Sequence, residues 1–171
     1  MTTIKTKPTI ESQTLLNAAN RNYGVILRQV AGLSHEDSLL QLPFRGNCLN
    51  WVVGHITQSR NKMLKIVGES PVWTDEQIAR YDRESLPVVD GSDAMHFEQM
   101  LADLKQTHER FIEKLSRMSQ DELNFPAPQV IKGIPDWSTG EFLNFLLWHE
   151  TYHTGQTEIL RQLAGTNDKV I

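Results

Sequence analysis

Apolar residues recur at steps of three and four along most of this chain, and four stretches carry that helical period clearly. After a polar tail, Pro8 and Ser12 open the first, with Leu15, Ala19, Tyr23, Ile26, Val30 and Leu33 on one face. They predict a helix over about residues 9–32, stopped near Gly32. Residues 34–46, with Leu39, Leu40, Leu42, Pro43 and Gly46, read as a connection with room for a short turn of helix. A second helix is predicted over about residues 47–67 and closed by Gly68, with Leu49, Val52, Val53, Ile56, Met63 and Val67 as its inner stripe. His55 sits at the edge of that stripe, facing the core or nearly so.

Residues 69–91 form a long connection with Pro71, Trp73, Tyr81, Pro87 and Gly91. Connections of this length are more often functional or partly ordered than idle, and the two aromatics are candidates to cover the end of a pocket. Ser92 as N-cap and Asp93 in the first turn open a third helix, whose seam is Phe97, Leu101, Leu104, His108, Phe111 and Leu115. Residues 118–137 connect onward with Pro126, Pro128 and Pro135, and Val130-Ile131 suits a short extended piece. Ser138-x-x-Glu141 is a capping box for a fourth helix that runs to about residue 164 and ends at Gly165. Its apolar positions are Phe142, Phe145, Leu146, Ile159, Leu160 and Leu163. Four amphipathic helices with narrow seams predict an all-α fold, a four-helix bundle. No stretch alternates long enough for a substantial sheet, and no repeat of fixed period is present.

Composition narrows the picture. At 171 residues the chain suits one domain, residues 1–171, with 39% hydrophobic and 22% charged residues as in ordinary globular proteins. No apolar run approaches the roughly 18 residues that span a bilayer. Residues 1–9 are rich in Thr and Lys without an apolar core, so neither signal peptide nor anchor is expected and the cytoplasm is the expected location. A formal charge of −4 gives no electrostatic drive toward nucleic acid or anionic lipid. The single cysteine, Cys48, excludes an internal disulfide and any multi-cysteine zinc site, and reads as a small core residue rather than a reactive thiol.

The chemistry concentrates in Trp148-His149-Glu150-Thr151-Tyr152-His153-Thr154-Gly155-Gln156. His149 and His153 lie one turn apart on one helix face, with Cβ atoms roughly 5–6 Å apart, close enough for neutral imidazoles to share a metal ion. A pair at this spacing, with His55 facing inward from another helix, points to metal. The lone seam histidine His108 reads instead as a satisfied core or boundary residue. His-Glu-x-x-His is also the zinc metalloprotease pattern, but Gly155 falls one position early for its extended form and Ile159 occupies the last ligand's place. Glu150, about 100° around the helix from His149, reads as a surface carboxylate or a support for a ligand, and as a candidate general base. Gln156 shares the face of the two histidines and is a candidate to hydrogen-bond a ligand or bound water. Tyr152 and Trp148 read as packing residues, and Arg60 and Arg161 as solvated or capping residues.

Asn50-Trp51-Val52-Val53-Gly54-His55 followed by Ser59-Arg60, the histidine stretch, and Leu160-Arg161-Gln162-Leu163-Ala164-Gly165 together resemble the DinB/YfiT-like superfamily of metal-binding bundles. Pro43-Phe44 and Trp137-Ser138 also fall where such proteins carry similar residues, so the resemblance covers most of the chain. It implies an up-down-down-up bundle in which His55, His149 and His153 hold one divalent ion, usually zinc or nickel. All three positions match. It also implies, for some relatives, transfer of a low-molecular-weight thiol such as bacillithiol, mycothiol or glutathione onto a small electrophile, and a homodimer is compatible with the fold. The mycothiol-dependent isomerases carry an extra C-terminal domain, so that subgroup is not expected for a chain ending just after the fourth helix. A metal-dependent hydrolase of a small molecule and a non-catalytic metal-binding stress or interaction protein remain open alternatives.

Overall fold

In the computed structural model, which describes residues 10–128, 136–168 and 170, the four expected helices are α1 (Ser12–Val30), α3 (Leu49–Ile66), α5 (Phe97–Ser116) and α7 (Thr139–Leu163). Three short helices lie in the connections: α2 (His35–Ser38), α4 (Asp75–Arg80) and α6 (Gln120–Asn124). The fold is all-helical among the described residues, apart from an isolated antiparallel bridge between Pro126 and Ser138. The polar tail at residues 1–9, including Pro8, and the extended piece expected at Val130-Ile131 lie outside the described residues. No helix among those described is long and apolar enough to cross a membrane.

Local chemistry accounts for most boundaries. Ser138 Oγ accepts from the Glu141 N–H and the Glu141 carboxylate accepts from the Ser138 N–H, so the expected capping box is formed. Gly32, Gly68 and Gly165 each follow a helix at φ near +80°, where a Cβ would be strained. The start of α5 differs from expectation. Ser92-Asp93 is not its cap: the chain turns at Gly91 (φ 82), Asp93 pairs with Arg80, and the helix begins four residues later behind His96. The Asp93 carboxylate serves a tertiary ion pair instead of a helix N-terminus. Ser34-x-x-Asp37, Thr74-x-x-Gln77 and Ser119-x-x-Glu122 cap α2, α4 and α6 with the same box as α7.

The bundle closes as a ring in which α1 packs on α7 and α5, and α3 packs on α5 and α7. Its apolar interior is split in two. One cluster joins Ile26 and Val30 of α1, Leu49 to Ile56 of α3, Phe97 to Leu104 of α5 and Leu160 of α7. The other joins Leu15 and Ala19, Met63 to Ile66, Phe111 and Leu115, and Phe142 to Leu147. The starts of α3 and α5 therefore lie at the end of the bundle where α1 and α7 finish. Between the clusters every long helix contributes buried polar residues: Asn22, Arg60, His108 and Glu150 among them. Arg60 binds this layer together. Its guanidinium pairs with Glu150 of α7 through two bonds of 2.5 and 2.6 Å, donates to the Ala19 carbonyl of α1 at 3.2 Å, and lies over the Phe111 ring of α5.

Three expectations about side chains are corrected here. Arg60 is 1% exposed, neither solvated nor a cap, because the buried Glu150 carboxylate neutralises it. His108 is buried and stacks on Tyr23 at 4.0 Å, but its Nδ1 has no hydrogen-bond partner among the described residues, so it is not a fully satisfied core residue. Phe145, Trp148, Tyr152 and Ile159 are exposed, since the buried face of α7 runs through Leu143, Leu147, Glu150, Thr154, Thr157 and Arg161 instead. Arg161 does cap, donating to the Gln29 and Ala31 carbonyls at the end of α1.

Candidate metal centre

His55 reaches α7 from the middle of α3, and the preceding residues hold it there. Asn50 Oδ1 accepts from the Tyr81 hydroxyl at 2.9 Å, while its amide donates to the Met95 carbonyl. Trp51 donates from Nε1 to Ser85 Oγ and stacks on His55, with ring centroids 4.8 Å apart. Gly54 makes room for the Tyr81 ring: a Cβ there would lie 2.2 Å from Tyr81 Cδ1. The Tyr81 carbonyl then accepts from His55 Nδ1 at 2.7 Å. A carbonyl oxygen can only accept, so His55 carries its proton on Nδ1 and presents a bare Nε2. The motif Asn50-Trp51-x-x-Gly54-His55 is thus a clamp on the segment after α4. Trp73 and Tyr81, expected at a pocket's end, are instead core residues.

Gly54→Ala is expected to cost about 1–3 kcal/mol, because the fully buried Tyr81 ring cannot retreat without moving its bonded neighbours. Urea unfolding should read that loss, with metal affinity falling alongside as the carbonyl behind His55 shifts.

The ligand nitrogens of His55, His149 and His153 all lie within 4.8 Å of one another, and the three rings meet edge-on. His153 donates from Nδ1 to Gln156 Oε1 at 2.7 Å, which turns its Nε2 toward His149 Nε2 at 3.1 Å. Two bare lone pairs at that distance repel, and either a proton on His149 or a cation between them relieves the contact. Bonds of about 2.0–2.1 Å hold two nitrogens about 3.3 Å apart at the tetrahedral angle. The 3.1 Å pair already has that spacing, and no more than about 1.5 Å of ring movement separates the remaining nitrogen from it. A donor set of three neutral nitrogens, two with their far nitrogens tied to oxygen acceptors, fits a divalent ion with a free position.

Burial holds these imidazoles neutral. Desolvation lowers His55 and His149 to about 4, with the neighbouring imidazoles adding to the effect, and it also lowers His153, against the Gln156 hydrogen bond. His108 in the polar layer falls to about 4, first through burial and then through the Arg60 charge. An unfolded chain takes up these protons near pH 6.5. Between the two values the unfolded state binds more protons, so stability rises with pH across this window and is lost as pH falls through it. The metal-free protein is expected to lose stability progressively from about pH 6.5 to about pH 4. Urea midpoints that stay constant over this range would contradict the burial of these rings.

Glu150 and Gln156 take different places. Glu150 is fully buried with both oxygens on Arg60, which leaves no free oxygen to act as a base toward the histidines. Gln156 holds His153. The Tyr81 carbonyl and Arg60 were not assigned to the site or its support by sequence reasoning: 26 residues separate Tyr81 from His55 and 90 separate Arg60 from Glu150. A cavity of about 570 Å³, lined by Ile66, Val67, Lys114, Phe125 and Thr139 among others, opens where α3 ends and α7 begins. Among the described residues that line it there is no histidine and no comparable constellation.

Comparison with known proteins agrees with the fold. A crystal structure of a conserved protein from Enterococcus faecalis superposes with a TM-score of 0.68, covering 92% of this chain and 99% of that one at 13% sequence identity. No curated protein matches the chain. The model of the DinB superfamily matches residues 20–157, more than half of the chain: the chain belongs to the DinB superfamily.

Proposed function

We propose that this protein is a divalent-metal-dependent transferase that joins a low-molecular-weight thiol to a small electrophile, with His55, His149 and His153 as the ligands and zinc or nickel as the ion. The observation that carries the reading is the convergence of three neutral imidazoles from α3 and α7, with His55 and His153 presenting Nε2 because Tyr81 and Gln156 occupy Nδ1. Imidazole suits both metals, and neutral ligands leave the ion its full charge. When bound, such an ion supplies Lewis acidity that lowers the pKa of a thiol at its free position. The chain's own residues orient: Trp51 and the Tyr81 carbonyl fix the His55 ring, Gln156 fixes that of His153, and the Arg60–Glu150 pair sets the axial register of α3 against α7. The reading places the protein in the cytoplasm, where such thiols are kept reduced.

The test is a conjugation assay on metal-loaded protein with a panel of thiols and a generic electrophile. Thiol-dependent turnover that disappears on chelation is the expected result. Silence with every thiol removes the transferase reading, and turnover without thiol that chelation abolishes would assign hydrolysis instead.

A further inference from the structure

We propose that Trp148 and Tyr152, flanked by Phe145, form a shelf that carries the flat, apolar body of a small molecule whose sulfur occupies the free position of the histidine centre. The inference rests on the metal-centre reading above and names the kind of substrate that site takes. Trp148 and Tyr152 are each 63% exposed and Phe145 is 39% exposed, on a helix whose opposite face is packed. Burial would stabilise large rings, and leaving two of them in water one turn apart beside a polar site calls for an occupant.

The shelf runs into the ligands themselves. Tyr152 meets His153 edge-on at 5.3 Å, Phe145 lies parallel to His149 at 6.5 Å, and Phe145 and Trp148 are 5.9 Å apart. His149 and His153 are both partly exposed, and Phe145 and Tyr152 border their rings. Extent separates a small molecule from a protein partner. Exposed Asn144, Thr151 and Glu158 border the rings along one edge of α7, and Gly155 breaks the apolar stripe between Tyr152 and the isolated Ile159. A stable protein interface needs about 800 Å² from each side with a continuous apolar centre. Three rings adjoining two imidazoles match an aryl or similarly flat group attached through a short arm to the coordinating sulfur. On ligation the thiol loses its proton to solvent, with no change of oxidation state.

The test uses nickel-loaded full-length protein and two probes, phenylmethanethiol and 2-mercaptoethanol, followed by sulfur-to-nickel charge-transfer absorption. The aryl thiol gains one ring contact, worth about a threefold to tenfold preference beyond its behaviour with the Trp148→Ala/Tyr152→Ala protein. Trp148→Phe and Tyr152→Phe keep a ring and are expected to keep the preference. Ile159→Ala, which removes an exposed side chain two turns from the shelf, is the control for a general effect of truncating α7. Equal aryl preference in wild type and the double variant overturns the shelf while leaving the metal centre standing. Protein that takes up no nickel overturns both. Sedimentation that shows a dimer for wild type and a monomer for the double variant would assign the rings to a contact between two copies and overturn the proposal.

Discussion

Glu150→Ala is expected to destabilise the protein by about 3–5 kcal/mol. The Arg60 and Glu150 side chains are 1% and 0% exposed, so removing the carboxylate strands a guanidinium where water does not reach. Among the described residues Arg60 Nη1 already has no hydrogen-bond partner, and the guanidinium would keep one acceptor there, the Ala19 carbonyl bonded to Nη2. For a chain of this length the loss corresponds to about 6–20 °C in melting temperature. Arg60→Met/Glu150→Leu should recover most of it, because a well-packed apolar pair avoids the desolvation cost of both charges. Thermal and urea unfolding of the single and double variants check this. A single-variant loss under about 1 kcal/mol would show that the pair is not buried as described.

The second large effect concerns the ion. His149→Ala is expected to lower zinc or nickel affinity by more than about 100-fold, since loss of a group that merely supports a ligand costs about 10–100-fold. Gln156→Ala, which frees His153 Nδ1 without removing a donor, should fall within that smaller range. Metal analysis of the purified proteins and competition with a chromophoric chelator measure both. Wild-type protein should gain about 2.7 kcal/mol of stability at metal concentrations 100 times its dissociation constant, and His149→Ala should gain almost none at the same concentration. Full metal affinity in His149→Ala would rule that residue out as a ligand and remove the basis of the transferase reading.

The two substitutions separate fold from site. Glu150 and His149 are adjacent in sequence yet point to different partners, one across the bundle interior and the other toward His55. A helix turns about 100° per residue, so neighbours serve different surfaces. The His-Glu dipeptide that resembles a protease signature therefore carries two unrelated roles here, a structural ion pair and a candidate ligand.

What could be read in the sequence was whatever depends on neighbours within about one helical turn. The four long helices, the Ser138–Glu141 box, the glycine stops and the one-turn spacing of His149 and His153 all rest on backbone geometry that repeats every few residues. The three short helices were legible too, through Ser34-x-x-Asp37, Thr74-x-x-Gln77 and Ser119-x-x-Glu122, but no apolar period drew attention to them. Ser92-Asp93 shows the limit of such signals. The same residue types serve turns and caps, and the Arg80 partner that decided between them is 13 residues away. Tertiary structure alone decided which face of α7 is buried, because that helix carries large apolar groups around most of its circumference and periodicity does not choose among them. It also decided that Arg60 finds Glu150 and that the Tyr81 carbonyl sets the His55 tautomer. Those pairings depend on how helices distant in sequence come to rest against one another, and the free energy that selects them is a property of the whole packed interior, not of any local stretch.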